Sequence, residues 1–279
     1  MMRKAMTVAV AVAASLALTT ACGNDKSDDA AAPAPTVPVS ESPTPSAQPS
    51  PSPSASDSPS ATPTASAPTP APTATPKPQK LKAGAKGAEV LALQKRLTEL
   101  GYWNGKADSK FGGTTQQAVF ALQKAAGIGR DGTVGPKTQK ALDEGVRPKA
   151  KSKAGSGYLV EINLKKQLLM LVKDGNVITT LNTSTGSNQH YDYEGDTFLA
   201  DTPSGHFKVG RQIDGMRHGP LGDLWRPKYF NGGIAVHGNG SVPPYPASHG
   251  CARVSNAAMN WIWATDKIPL KTKVWVYNS

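Results

Sequence analysis

The side chains that could do chemistry gather near the C-terminal end. Ser248-His249-Gly250-Cys251-Ala252-Arg253 supplies a thiol, an imidazole and a guanidinium, and His237-Gly238 supplies a second imidazole 14 residues before the thiol. A cysteine becomes a useful nucleophile when a neighbouring base takes its proton. His249 stands two residues from Cys251 along the chain, whereas His237 arrives from an adjacent segment, so geometry favours His237 for direct contact with the thiol. The interspersed glycines let backbone N–H groups come close to a ligand. His, His and Cys are also zinc ligands. No short-spaced ligand pair or fourth ligand is evident among His190, His206 and His218, so neither a metal nor a cofactor is assigned. Cys22 and Cys251 are the two cysteines, and a lone thiol in an exported chain is a liability unless it is used.

The elements that must position these groups read as strands. From residue 158 onward the apolar period is two: 158–162 and 168–172 predict strands, Asp174-Gly175 predicts a tight turn into 177–181, and 274–277 predicts a closing strand. Ser255 is placed to cap a short helix running to Trp263. The expected domain, 157–279, is mainly β, with one helix directly after the cysteine motif.

The preceding segment, 81–145, has a helical period and an internal repeat. Asp108, Phe111, Gly112 and Thr115 are matched 23 positions later by Asp131, Val134, Gly135 and Thr138, and Ala118-Val119 is answered by Ala141-Leu142. Upstream, Val90, Leu93, Leu97 and Leu100 form one stripe ended by Gly101, so three short helices are expected. A Lys/Gly/Ser stretch, 146–156, reads as a flexible linker between two separately folded units.

The N-terminal part cannot form a core. Between 33 and 78 there are 15 prolines in 46 residues, with Glu41, Asp57 and Lys77 the charged ones, so 23–80 is expected to be a disordered Pro/Ser/Thr spacer. Before it, Arg3 and Lys4 precede an apolar run from 5 to 18 and small residues up to Cys22, which reads as an export signal over 1–22. With about 200 residues left to fold, one large intracellular enzyme domain is excluded. Of the net charge of +11, residues 80–155 hold most, with 15 Lys/Arg against 6 Asp/Glu. Outside the cell such a patch points to anionic wall polymers rather than nucleic acid.

Three resemblances follow from these residues. The runs LKAGAKGAEVLALQKRLTELGYW, FGGTTQQAVFALQKAAG and DGTVGPKTQKAL resemble the peptidoglycan-binding domain of wall hydrolases. Ala21-Cys22 resembles a lipoprotein cleavage site, in which Cys22 would carry the lipid, although Thr19 stands where such sites usually have Leu. Residues 158–277 resemble the catalytic domain of YkuD-type L,D-transpeptidases through Ser184-Thr185-Gly186, 202–207, 230–238 and the SHGC core. That likeness implies Cys251 as nucleophile, His237 as its base and the Gly238 carbonyl as the group orienting the imidazole. It further implies Gly250 and Cys251 N–H groups as oxyanion donors, His249 in support, and Ser248, Arg253 and Tyr229 toward substrate. The interval from His237 to Ser248 is shorter than in many members and holds Pro243, Pro244 and Pro246.

The expected architecture is therefore multidomain: a small three-helix peptidoglycan-binding module and a mainly β, sandwich-like L,D-transpeptidase domain. The implied function is formation of 3→3 cross-links in peptidoglycan through a cysteine thioester. An L,D-carboxypeptidase using water as acceptor, and a non-catalytic wall-binding lipoprotein, are the alternatives. Expected partners are stem peptides and glycan, anionic wall polymers, and a membrane reached through the lipid anchor. The expected location is extracytoplasmic, anchored at the membrane and reaching into the wall.

Overall fold

A computed structural model describes residues 80–152 and 157–279. The signal-like segment, Cys22 and nearly all of the Pro-rich spacer lie outside the described residues. Among the described residues no helix is long and apolar enough to cross a membrane.

The first unit holds helices α1 (Ala88–Glu99), α2 (Gly113–Ala126) and α3 (Pro136–Asp143). Val90, Leu93, Leu97 and Leu100 of the apolar stripe are buried with Phe111, Val119, Leu122, Val134 and Leu142, as a 3.6-residue period requires. The repeat has a polar counterpart. Gln94 Nε2 donates to Asp108 Oδ1 and Thr115 Oγ1 at 2.9 and 3.0 Å. Gln123 Nε2 donates to Asp131 Oδ1 and Thr138 Oγ1 at 2.7 and 3.1 Å. Each copy is thus a buried amide that satisfies the loop entering its helix. These hydrogen bonds hold the Asp108 carboxyl below its ordinary pKa, and bonds from the Thr133 N–H and Gln123 do the same for Asp131.

The second unit is two sheets around one core. One sheet contains β1 (Tyr158–Asn163), β2 (Leu168–Lys173), β3 (Asn176–Asn182), β6 (Gly205–Lys208) and β12 (Lys273–Tyr277) in the order β3-β2-β1-β12-β6. The other contains β7 (Arg211–Gln212), β9 (Leu224–Asn231), β10 (Ile234–Asn239) and β11 (Ala252–Ser255) in the order β11-β10-β9-β7, with β8 (Met216–Arg217) also on β9. Val160, Ile162, Leu169 and Leu171 from the first sheet meet Val236, Ala252 and Val254 from the second. Helix α4 (Asn256–Ala264), capped by Ser255 as its sequence predicts, adds Ala258, Met259 and Ile262. A hairpin, β4 (His190–Tyr193) and β5 (Asp196–Leu199), forms a separate two-stranded sheet.

Strand β2 is apolar up to its last residue, Lys173, because three environments share it. Leu169 and Leu171 enter the inter-sheet core, Leu168 joins the helical core, and Met170 and Val172 pack with Tyr277 on the outer face. The described part of the connecting stretch, 146–152, is also tied down. The Tyr102 hydroxyl donates to the Val146 carbonyl at 2.8 Å, and the Lys151 and Ser152 N–H groups donate to the buried Glu161 carboxylate at 2.9 and 2.8 Å. The flexible linker expected from its Lys/Gly/Ser composition is, over these residues, a packed strap. Composition reports a missing apolar pattern; it cannot report a buried carboxylate waiting for the strap's N–H groups.

Candidate active site

β10 and β11 run parallel, with Val236 opposite Ala252 and His237 opposite Arg253. Successive side chains alternate across a sheet. Val236, Ala252 and Val254 therefore fill the core, while His237, Arg253 and Cys251, two residues before Arg253, turn to the other face. There they line a cavity of about 520 Å³ together with Tyr191, Leu199, Arg211, Arg217, Tyr229 and His249.

His237 is only 3% exposed, and its Nδ1 lies 2.9 Å from the Gly238 carbonyl. A carbonyl can only accept, so Nδ1 carries the proton and Nε2 keeps its lone pair. Burial pushes the His237 pKa down to about 4, and nearby Arg253 pushes the same way against the Gly238 bond. Burial also pushes the Cys251 thiol up, opposed by the Ala235 N–H, which donates to its sulfur at 3.4 Å, and by Arg253. At neutral pH the resting pair is a thiol and a neutral imidazole, both desolvated.

A family model described as the L,D-transpeptidase catalytic domain, YkuD, matches residues 157–276, and one described as a putative peptidoglycan binding domain matches 86–142. The crystal structure of an L,D-transpeptidase from Xylanimonas cellulosilytica DSM 15894 is 55% identical, covers 73% of this chain and 100% of its own, and superposes with a TM-score of 0.70. The chain belongs to the YkuD L,D-transpeptidase family. Curated relatives match over shorter stretches. An N-acetylmuramoyl-L-alanine amidase of Bacillus licheniformis is 55% identical over 64 residues, 22% of this chain and 18% of the amidase. A spore cortex-lytic enzyme of Oceanobacillus iheyensis is 30% identical over 158 residues, 56% of this chain and 54% of that enzyme. The chain thus spans between about a fifth and about half of the length of these two relatives.

Within the L,D-transpeptidase domain, Cys251, His237, His249, Arg253 and Tyr229 all reach the cavity. Two assignments implied by the resemblance need correction. The Gly250 N–H, expected to face an oxyanion, is donated to Ser248 Oγ at 3.0 Å, whereas the Cys251 N–H donates to no group among the described residues. Ser248, expected toward substrate, is 2% exposed and spends its hydroxyl on the Cys251 carbonyl at 2.6 Å. It touches the cavity wall but acts as a brace. The motif could not reveal this, since Ser, His and Gly are all compatible with either role.

Gly250 sits at φ +140°, and a Cβ there would come within 2.8 Å of the Asp201 carbonyl. Its own carbonyl accepts from Thr202 Oγ1 at 2.6 Å, and the same hydroxyl accepts the Gly186 N–H at 2.9 Å. At Gly186 a Cβ would stand 2.4 Å from the Ala200 carbonyl. Three of the four motifs quoted above, Ser184-Thr185-Gly186, 202–207 and SHGC, therefore meet at one knot beneath the nucleophile. Gly238 packs closely on Asn256 and Trp225. His249 is exposed, and its ring meets the edge of Tyr191 at 4.7 Å. Arg253 donates Nη1 to the Ala247 carbonyl at 3.2 Å, while its buried Nε has no partner among the described residues.

Sequence reading missed Arg211, Arg217 and Tyr191. Arg211 lies flat on Tyr229, its guanidinium carbon 3.7 Å from the ring centroid, and forms no ion pair among the described residues. No local motif marks it, because the stack depends on β7 lying beside β9, where Arg211 is paired with Tyr229.

Proposed function

We propose that the chain is a peptidoglycan L,D-transpeptidase that forms 3→3 cross-links through a thioester on Cys251. The observation that carries this reading is the placement of Cys251, directly before β11, and a neutral His237, on β10, in one cavity of a chain that is 55% identical to a solved L,D-transpeptidase over a match covering 73% of its length.

Cys251 Sγ attacks the carbonyl that joins the donor stem to its terminal D-residue. His237 Nε2 takes the thiol proton and passes it to the departing amine as the C–N bond breaks. An amine of a second stem then attacks the thioester carbon, gives its proton to Nε2, and the sulfur leaves as the thiol. The Cys251 N–H is the open backbone donor for the oxyanion in both steps. Pairing with the Gly238 carbonyl keeps Nδ1 protonated, so Nε2 is always the reacting atom. Arg211, planar, preoriented on Tyr229 and free of an acid partner, takes a stem-peptide carboxylate, and Arg253 contributes through its unpartnered Nε.

The helical module holds the enzyme on wall glycan, with its excess of Lys and Arg adding attraction to anionic polymers. Its α1 and α3 line a cavity of about 730 Å³ that includes Leu81, Arg96, Pro136 and Gln139. Lipid on Cys22 and the Pro-rich spacer would tether the enzyme at the outer face of the membrane, a reading supported by the residues of 1–80 alone. Incubation with a defined tetrapeptide stem, followed by intact-mass analysis of the protein and of the products, tests the proposal. A mass gain on Cys251 and a dimeric product with loss of one terminal D-residue are expected. Exclusive release of the tripeptide would replace transpeptidation with carboxypeptidation, and absence of any adduct or product would refute acyl transfer.

A further inference from the structure

Helix α2 of the wall-binding module carries two adjacent polar residues that point to different places. Gln123 closes the module's own loop, as above. Lys124, 1% exposed, leaves the module and enters the catalytic domain. Its Nζ donates to the Gln167 carbonyl at 2.8 Å, to the Thr183 carbonyl at 2.9 Å, and to Asn182 Oδ1. The cage holds no carboxylate, and burial pushes the Lys124 pKa down to about 6. A cation there is costly, and the three acceptors around Nζ offset that cost when the amine is protonated.

From that cage two hydrogen-bonded paths lead to the catalytic loop. Along the first, the Gln167 side chain grips Thr185, accepting its N–H at 2.9 Å and donating to Oγ1 at 2.7 Å. The Thr185 carbonyl accepts from the N–H groups of Ala247 and Ser248, both at 3.0 Å, and Ser248 holds the Cys251 carbonyl. Along the second, Asn182 Nδ2 donates to the Val242 carbonyl at 3.2 Å, and Gln117 Nε2, two turns before Lys124 on the same face of α2, donates to the same carbonyl at 3.1 Å. Arg130, just past α2, donates to the Pro244 carbonyl at 3.0 Å. The stretch 240–247 connects the strand of His237 to the loop of Cys251. With Pro243, Pro244 and Pro246 it lacks three N–H donors, so its carbonyls are held from outside, and α2 supplies much of that hold.

We propose that α2 is a positioning element for catalysis: Lys124 and Gln117 fix the 240–253 segment, so the wall-binding module sets how fast Cys251 is acylated as well as where the enzyme works. The consequence for rate rests on the acyl-transfer reading above. Lys124 and Gln117 touch no substrate; they act through Thr185, Val242 and Ser248.

The test uses the full chain with Gln117→Ala, Lys124→Met and, as a control exposed on α1, Lys95→Ala. Two quantities are read: amide hydrogen exchange across 240–253, and kcat and KM for release of the terminal residue from a soluble tetrapeptide, which does not require wall binding. Gln117→Ala and Lys124→Met should speed exchange in 240–253 and lower kcat about tenfold, with KM within about twofold, because small misplacements of reacting groups are expensive in rate. Lys95→Ala should change neither. Unchanged exchange in Gln117→Ala, or faster exchange with unchanged kcat, or a rise in KM alone, would overturn the proposal. If Lys124→Met does not fold, Gln117→Ala decides. If the unmodified protein releases no terminal residue, the acyl-transfer reading falls, and the exchange data still decide whether α2 holds the loop.

Discussion

The cavity has a floor and a roof built on opposite principles. The floor, 248–253, is fastened at nearly every residue: Ser248 to Cys251, Thr202 to Gly250, Ala235 to the Cys251 sulfur, Ser184 to Arg253. The roof, the β4–β5 hairpin, pairs mainly with itself and leaves Phe198 and Leu199 43% and 47% exposed. It meets the floor through Tyr191 against His249, an aromatic edge contact with no directional bond. Groups that exchange protons must hold their separation to about a few tenths of an ångström, whereas a wall that admits a peptide must yield. Segments with few buried contacts open at the lowest free energy, and the hairpin is such a segment.

Five substitutions sharpen or break that contrast. Cys251→Ser should abolish the covalent adduct with a stem tetrapeptide while the fold survives, since oxygen for sulfur changes nucleophilicity far more than volume; intact mass and circular dichroism read the two. His237→Ala should cost about 100- to 10,000-fold in acylation rate, and more than His249→Ala, which loses an exposed ring. Because burial lowers the His237 pKa, the imidazole stays a free base down to about pH 4. The acid limb of kcat/KM should therefore fall near pH 4 rather than near the ordinary histidine value, and a limb near pH 6 to 7 would remove His237 as the base.

Thr202→Val keeps the volume but orphans the Gly186 N–H and the Gly250 carbonyl. It should destabilise the protein by about 1–3 kcal/mol in a denaturant titration and slow acylation. Tyr191→Ala tests the roof and should be the mildest: stability within about 0.5 kcal/mol of the parent, with the change confined to KM. A loss of stability like that of Thr202→Val would mean that roof and floor are one unit, and the contrast would be wrong.

Much of this was legible in the chain. Period-two patterning located β1, β3 and β12, the short apolar run 168–172 located β2, Ser255 announced α4, and the 23-residue repeat announced paired helical turns. His237 and the SHGC run marked the site, since a thiol with an imidazole on a neighbouring segment has few other uses. Illegible were the features created by distant parts meeting. The repeat marked Asp108 and Asp131 but not the Gln94 and Gln123 amides that close each knot, because a glutamine on a helix looks the same whether it faces water or a loop. Arg211 acquires its place only from the tyrosine 18 positions later on β9.

The amino-acid sequence alone determined the chemistry available and the fold class: residue types, their two periods, and the motifs that tie this chain to the YkuD family. Tertiary structure decided which hydrogen bonds those groups had left to give. Gly250 and Ser248 passed from the substrate's side to the loop's own bracing, and Lys124, indistinguishable in sequence from the module's surface lysines, became its buried link to the catalytic domain. The physical reason is the same in each case. A side chain's identity fixes how many donors and acceptors it brings, but only the packed neighbours determine which of them are already spent.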